Sequence, residues 1–235
     1  MLPLSLPPAY TLAIVARDRD PVRHARATVA RGVEDGLLIL ADRADRLELA
    51  ILTEPAADPG STVRGYLAFA VAVADMLAAS LPPMLAVALR WPALILVDGS
   101  PVGRLRLCLP EPTGTEPFAW AILGLELGLR SSMSELGRGS AELGLDDCGA
   151  TGLEAFDLAE SLARHFLYWL DRLDRDGLDP VRQSWNARCH GRSEEAVLTL
   201  QGRSWQGRLD GLDGEGRLVV GGAKLALLDH LAELG

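Results

Sequence analysis

The sequence predicts an α+β fold, and three features carry the prediction. Short apolar runs divided by turn signals recur between residues 36 and 129; residues 22–36, 66–80 and 153–173 read as helices; and glycines punctuate a series of short alternating strands near the end. The 235 residues divide on this reading into a larger unit, 1–188, and a small all-β unit, 189–235.

Each element has its own signal. Val22, Ala25, Val29 and Val33 recur at helical spacing and predict a first helix over 22–36. Residues 36–40 and 47–52 follow as two strands, joined by Ala41-Asp42-Arg43-Ala44-Asp45-Arg46. That connection holds no glycine and suits a short hairpin, with Arg43 and Arg46 read as solvated turn residues paired with Asp42 and Asp45. Residues 66–80 form an apolar helix. Asp75 interrupts it and Pro82-Pro83 stop it, so it is read as a buried helix too short for a bilayer of about 30 Å. Residues 95–97 and 102–109 are strands around the Asp98-Gly99 turn, and 118–129 is a long strand. In 153–173 the residues Leu158, Leu162, His165, Phe166, Trp169, Leu170 and Leu173 share one face; His165 is read as packed there. Strands at 197–200, 204–209, 217–220 and 224–227 make up the tail, whose roughly 45 residues bury too little apolar surface to be secure alone.

Composition excludes some functions. A net charge of −9 and a pI near 5.0 argue against nucleic acid as a partner. Residues 1–10 have no basic n-region, and Pro3, Pro7 and Pro8 suit an extended arm; the expectation is a cytoplasmic protein without a membrane partner. Cys108, Cys148 and Cys189 are odd in number and widely spaced, which fits a reducing compartment, and no Cys-x-x-Cys or paired-histidine spacing suggests a metal.

The run Arg90-Trp91-Pro92-Ala93-Leu94-Ile95-Leu96-Val97-Asp98-Gly99-Ser100-Pro101-Val102-Gly103-Arg104 carries a resemblance. It is similar to the biotin/lipoate protein ligase superfamily, where a Trp-Pro-Asn-Asp strand leads to an Asp-Gly turn, a lysine and a glycine-containing strand. The resemblance implies a class II synthetase-like domain, a mixed sheet flanked by helices, and a tail like the SH3-like β-barrel of biotin protein ligases. It also implies a chemistry: an acyl-adenylate made from ATP and biotin or lipoate, then acyl transfer to a lysine of a carrier domain. No winged-helix segment precedes Val22, so the DNA-binding arm of some relatives is not expected.

The departures fall on the chemistry. Ala93-Leu94 replace Asn-Asp, Pro101 replaces the lysine, and Gly128 ends a Gly124-Leu125-Glu126-Leu127-Gly128 run where the superfamily has asparagine. The hairpin at 41–46 stands in place of a glycine- and arginine-rich loop that covers the adenylate. Each missing donor is worth roughly 3 kcal/mol in the transition state, and two cost about four orders of magnitude in rate. The expectation is a degenerate ligase-like protein with no catalytic residue, metal or cofactor. Its ligand residues would be Arg90, Trp91, Asp98, Gly99, Gly103 and Arg104, and its partners a small acyl ligand or a biotinyl or lipoyl carrier domain. Arg104 lies on the strand face opposite Leu105 and Leu107, the face on which the superfamily holds its ligand. The alternative is an active ligase or transferase, using ATP and biotin or lipoate, with relocated groups. Cys148 and Arg104 are its candidates, Cys148 because Asp147-Cys148-Gly149 resembles the Cys-Gly motif of octanoyl transferases, although Asp146 and Asp147 disfavour a thiolate. An edge-to-edge homodimer, as many biotin ligases form, is left open.

Overall fold

The computed structural model describes residues 4–32, 35–54, 59–110, 118–131 and 143–234. Strands β1 (Thr11–Val15), β2 (Leu37–Ala41), β3 (Arg46–Thr53), β4 (Val87–Arg90), β5 (Leu94–Val97), β6 (Ser100–Cys108) and β7 (Ala121–Gly128) form one sheet in the order β1-β2-β3-β7-β6-β5-β4. β1 runs parallel to β2 and every other neighbour is antiparallel, so the sheet is mixed.

Strand parity sends alternate residues to two helical layers. Leu47, Leu49 and Ile51 of β3 and Leu123, Leu125 and Leu127 of β7 face α2 (Pro59–Ser80) and α3 (Ala155–Asp176), which meet through Phe69 and Phe166 edge to face at 5.3 Å. Ala50, Leu52 and Ile122 face Val22 and Ala25 of α1 (Pro21–Val29). The first helix is shorter than its periodicity predicts. Asp20 caps its start, accepting from the Val22 and Arg23 amides at 2.8 and 3.3 Å, and the chain leaves the helix at Ala30 through Gly32 at φ +128°. Val33 lies outside the described residues.

The second helix is longer than predicted. By length and composition Gly60–Ser80 could cross a membrane, so the expectation of a helix too short to do so does not hold; most of it is nevertheless buried inside the protein. Its one acidic residue, Asp75, accepts from Trp169 Nε1 at 2.7 Å and pairs with Arg188, tying α2 to α3 and to the end of α4 (Leu178–Ala187). β1 and β4 are strands that the sequence reading did not assign.

The tail is a second, four-stranded antiparallel sheet of β8 (Glu195–Leu200), β9 (Arg203–Leu212), β10 (Leu218–Val220) and β11 (Ala223–Leu225), in the order β11-β10-β9-β8. It docks on the larger unit. His190 N donates to Leu89 O at 2.9 Å, and the Asn186 side chain donates to Leu212 O and accepts from Leu212 N at 3.0 and 2.7 Å. Leu200, Leu212, Leu218 and Val220 belong to the same buried cluster as Leu89 and Trp91.

Candidate functional site

Cross-strand register builds the site. Arg104 of β6 stands opposite Glu126 of β7, and Glu126 opposite Glu48 of β3, so the three side chains form one row on the α1 side of the sheet. Two carboxylates directly opposite repel unless cations bracket them. Arg104 Nε lies 2.7 Å from Glu126 Oε2, and Arg106 Nη1 lies 2.9 Å from Glu126 Oε1 and 3.1 Å from Asp20 Oδ2. On the far side Arg43 reaches Glu48 at 3.2 Å and Asp45 at 2.6 Å, and Arg46 reaches Glu48 at 3.7 Å.

α1 leaves this row uncovered. Gly124 lets the helix approach β7 closely, because a Cβ there would come within 2.6 Å of Val22 Cγ2. The helix begins only at Pro21, so a cleft of about 330 Å³ opens between the row and residues 17–20. Burial pushes the Glu48 carboxyl up against the pull of Arg43 and Arg46, and Glu126 and Asp20 push it the same way. Burial also acts on Asp20, but the hydrogen bond and charge of Arg106 outweigh it and leave its pKa lowered. Arg43 holds Asp45 below its ordinary value. Arg43 and Arg46 are therefore not the solvated turn residues the sequence suggested: their side chains are 24% and 21% exposed and lean onto Glu48, although Arg43 does pair with Asp45.

The residues singled out as ligand-binding do not converge. Of the six, Arg104 alone lines this cleft, on the face its parity predicted. Trp91 is buried, its ring edge-on to His230 of the tail at 5.5 Å, and Arg90 lies beside it in a groove against β8. Asp98 and Gly99 make the β5–β6 turn, and the Asp98 carboxylate accepts from Ala86 N at 2.8 Å. Gly103 is packed so closely on β7 that a Cβ would lie 2.3 Å from Glu126 O. Sequence reasoning missed Glu48 and Glu126. Their signal was a glutamate set between leucines in each strand, Leu47-Glu48-Leu49 and Leu125-Glu126-Leu127.

The lysine expected after the β5–β6 turn is replaced by Pro101. Pro101 is exposed and its carbonyl accepts from Leu143 N at 3.2 Å. The chain's only lysine, Lys224, is in β11, 3.6 Å from Asp213. Burial raises the Cys148 thiol, and Asp147, Asp98 and Asp146 raise it further, which keeps it protonated. Among the described residues no cluster of His, Cys, Asp and Glu is arranged to hold a metal.

A family model described as the biotin/lipoate A/B protein ligase family matches residues 6–187. The chain belongs to that family. A biotin–(acetyl-CoA-carboxylase) ligase from Paracoccus denitrificans is 27% identical over 172 residues, 69% of each protein. Among solved structures, a biotin protein ligase-like protein of unknown function from a Silicibacter species aligns with a TM-score of 0.87 at 26% identity, covering 97% of this chain and 99% of that one. The biotin protein ligase of Aquifex aeolicus aligns with a TM-score of 0.72 at 15% identity over 90% and 91% of the two chains, a likeness of fold. The mixed sheet with flanking helices is thus the ligase fold, and the Silicibacter match extends over the tail sheet as well.

Proposed function

We propose that this family member is a binding protein that does not form an acyl-adenylate, with the charged cleft beside α1 as its ligand site. The observation that carries the reading is that Arg43, Arg104 and Arg106 are each engaged with carboxylates of that cleft or its edge. Adenylation gathers negative charge on phosphates and needs cations and backbone donors aimed at it. Phosphates passing Arg17 and Arg19 at the rim would find Asp20, Glu48 and Glu126 on the floor with its arginines already engaged, and Lys224 sits in the tail.

The Paracoccus relative's name makes acetyl-CoA carboxylase its acceptor, and a biotinyl or lipoyl carrier domain is accordingly the macromolecular partner proposed here. We assign the tail sheet to an SH3-like barrel that braces the hairpin strands. The free thiols of Cys108, Cys148 and Cys189 support a cytoplasmic setting.

The test is direct. The full chain is incubated with ATP, magnesium, labelled biotin, lipoate or octanoate, and a purified carrier domain. No acyl-adenylate and no labelled carrier are expected; either product above the protein-free background overturns the proposal.

A further inference from the structure

We infer that the cleft beside α1 takes a small dipolar ligand, one that carries a carboxylate and an ammonium or guanidinium group together, as an L-α-amino acid does. The inference rests on the preceding reading for the location of the site and goes beyond it in naming the ligand class.

Five arginines and four carboxylates face the cleft, a near balance that leaves one positive charge in excess. An acyl chain laid on that surface would strip water from the ion pairs and return nothing for it, since CH₂ groups satisfy neither charge. A triphosphate would meet four carboxylates in a cleft with little net positive charge. A ligand bearing both signs avoids both costs. Its carboxylate takes the fork of an arginine, its cationic group takes the carboxylate which that arginine gives up, and no charge is left unpaired.

One further observation shows binding capacity that the cluster itself does not use. At the rim, Arg17, Asp18 and Arg19 alternate in sign, and their side chains make no ion pair among the described residues. A cavity of about 330 Å³ is ample for a molecule of amino-acid size.

The full chain is titrated by calorimetry, and melted, with glycine, L-glutamate, L-glutamine and L-arginine. Acetate and methylammonium serve as single-charge controls, and octanoate, biotin, lipoate and ATP as competing classes. At least one amino acid is expected to bind saturably, more weakly as salt is added, and to raise the melting temperature, while the controls and competitors do neither. The double variant Arg17→Gln/Arg19→Gln removes exposed, unpaired charges. It is expected to melt like the parent and bind the amino acid about tenfold more weakly, and Glu126→Gln is expected to weaken it at least as much. Silence from every amino acid, binding of biotin, octanoate or ATP in their place, or affinity unchanged in both variants overturns the inference. An acyl-adenylate in the labelling assay defeats the proposed function itself; a silent amino-acid panel with no adenylate defeats this inference alone.

Discussion

Arg104 and Arg106 sit two residues apart on one face of β6, yet their surroundings assign them different weights. Arg104 is 45% exposed and spends its guanidinium on Glu126 near solvent; Arg106 is 18% exposed and joins Glu126 to the cap residue of α1. Arg104→Ala is expected to cost less than about 1 kcal/mol. Arg106→Ala, which strips a partner from Asp20 and Glu126, is expected to cost about 3 kcal/mol. Urea unfolding at neutral pH compares them, and equal costs would contradict the account. Parity made the face of both arginines legible in the sequence. Their partners were not, because Glu126 reaches both only through the register of β6 on β7, and Asp20 reaches Arg106 only through the docking of α1 on the sheet. Thiols give a second residue-scale prediction. Burial pushes Cys189 up to about 11, against the pull of Arg192, and raises Cys108 and Cys148 as well. The native state therefore keeps protons that the unfolded chain releases near its ordinary thiol pKa of 9.0. The associated stability is complete below that pH and is lost as pH rises through the folded values. The urea midpoint should fall between pH 9 and about 11, and less steeply in Cys189→Ala.

Among the elements, the β5–β6 hairpin was the most legible, because Asp98 and Gly99 at φ +48° and +78° supply the two left-handed residues that a tight two-residue turn requires. The two glycines of this hairpin do different physical work. At Gly99 a Cβ meets nothing within 4 Å, so Gly99→Ala costs only the backbone strain of a positive φ, about 1 kcal/mol. At Gly103 the added atom would lie 2.3 Å from Glu126 O, and β6 would have to part from β7 in the middle of the sheet. Gly103→Ala should therefore be destabilised by more than about 3 kcal/mol, a melting-temperature difference between the two variants that would be absent if both glycines merely lined a ligand. β1 and β4 were illegible for a shared reason. Each is a short strand at an end of the seven-stranded sheet, β1 pairing only with β2 there and β4 with β5 and, beyond the sheet, bridged through Leu89 to residues 188–190, so neither needs the strict alternation that marks a strand with one buried face. The end of α1 was misread because Val33 continues the apolar period while Gly32 has already taken the chain out of the helix.

At the scale of the whole molecule the tail behaves as a wall of the larger unit's core. Its own strands are too few and short to secure it, and its buried leucines join the cluster that contains Leu89 and Trp91. His230 lies edge-on between Trp91 and Trp205, with ring centroids 5.5 and 5.6 Å away. Asn186 closes the junction by matching both polar groups of Leu212, and Gly211 makes room for it, since a Cβ there would lie 2.4 Å from Asn186 Oδ1. A shared core predicts one cooperative transition, with tryptophan fluorescence and far-UV circular dichroism changing together. Asn186→Ala leaves the Leu212 amide and carbonyl buried without their side-chain partner and should cost about 2–4 kcal/mol. Its loss falls at the junction, so fluorescence from Trp91 and Trp205 should change before the helical signal in that variant. Two separated transitions in the parent protein would mean that the tail folds on its own and that the junction carries little of the stability argued for it.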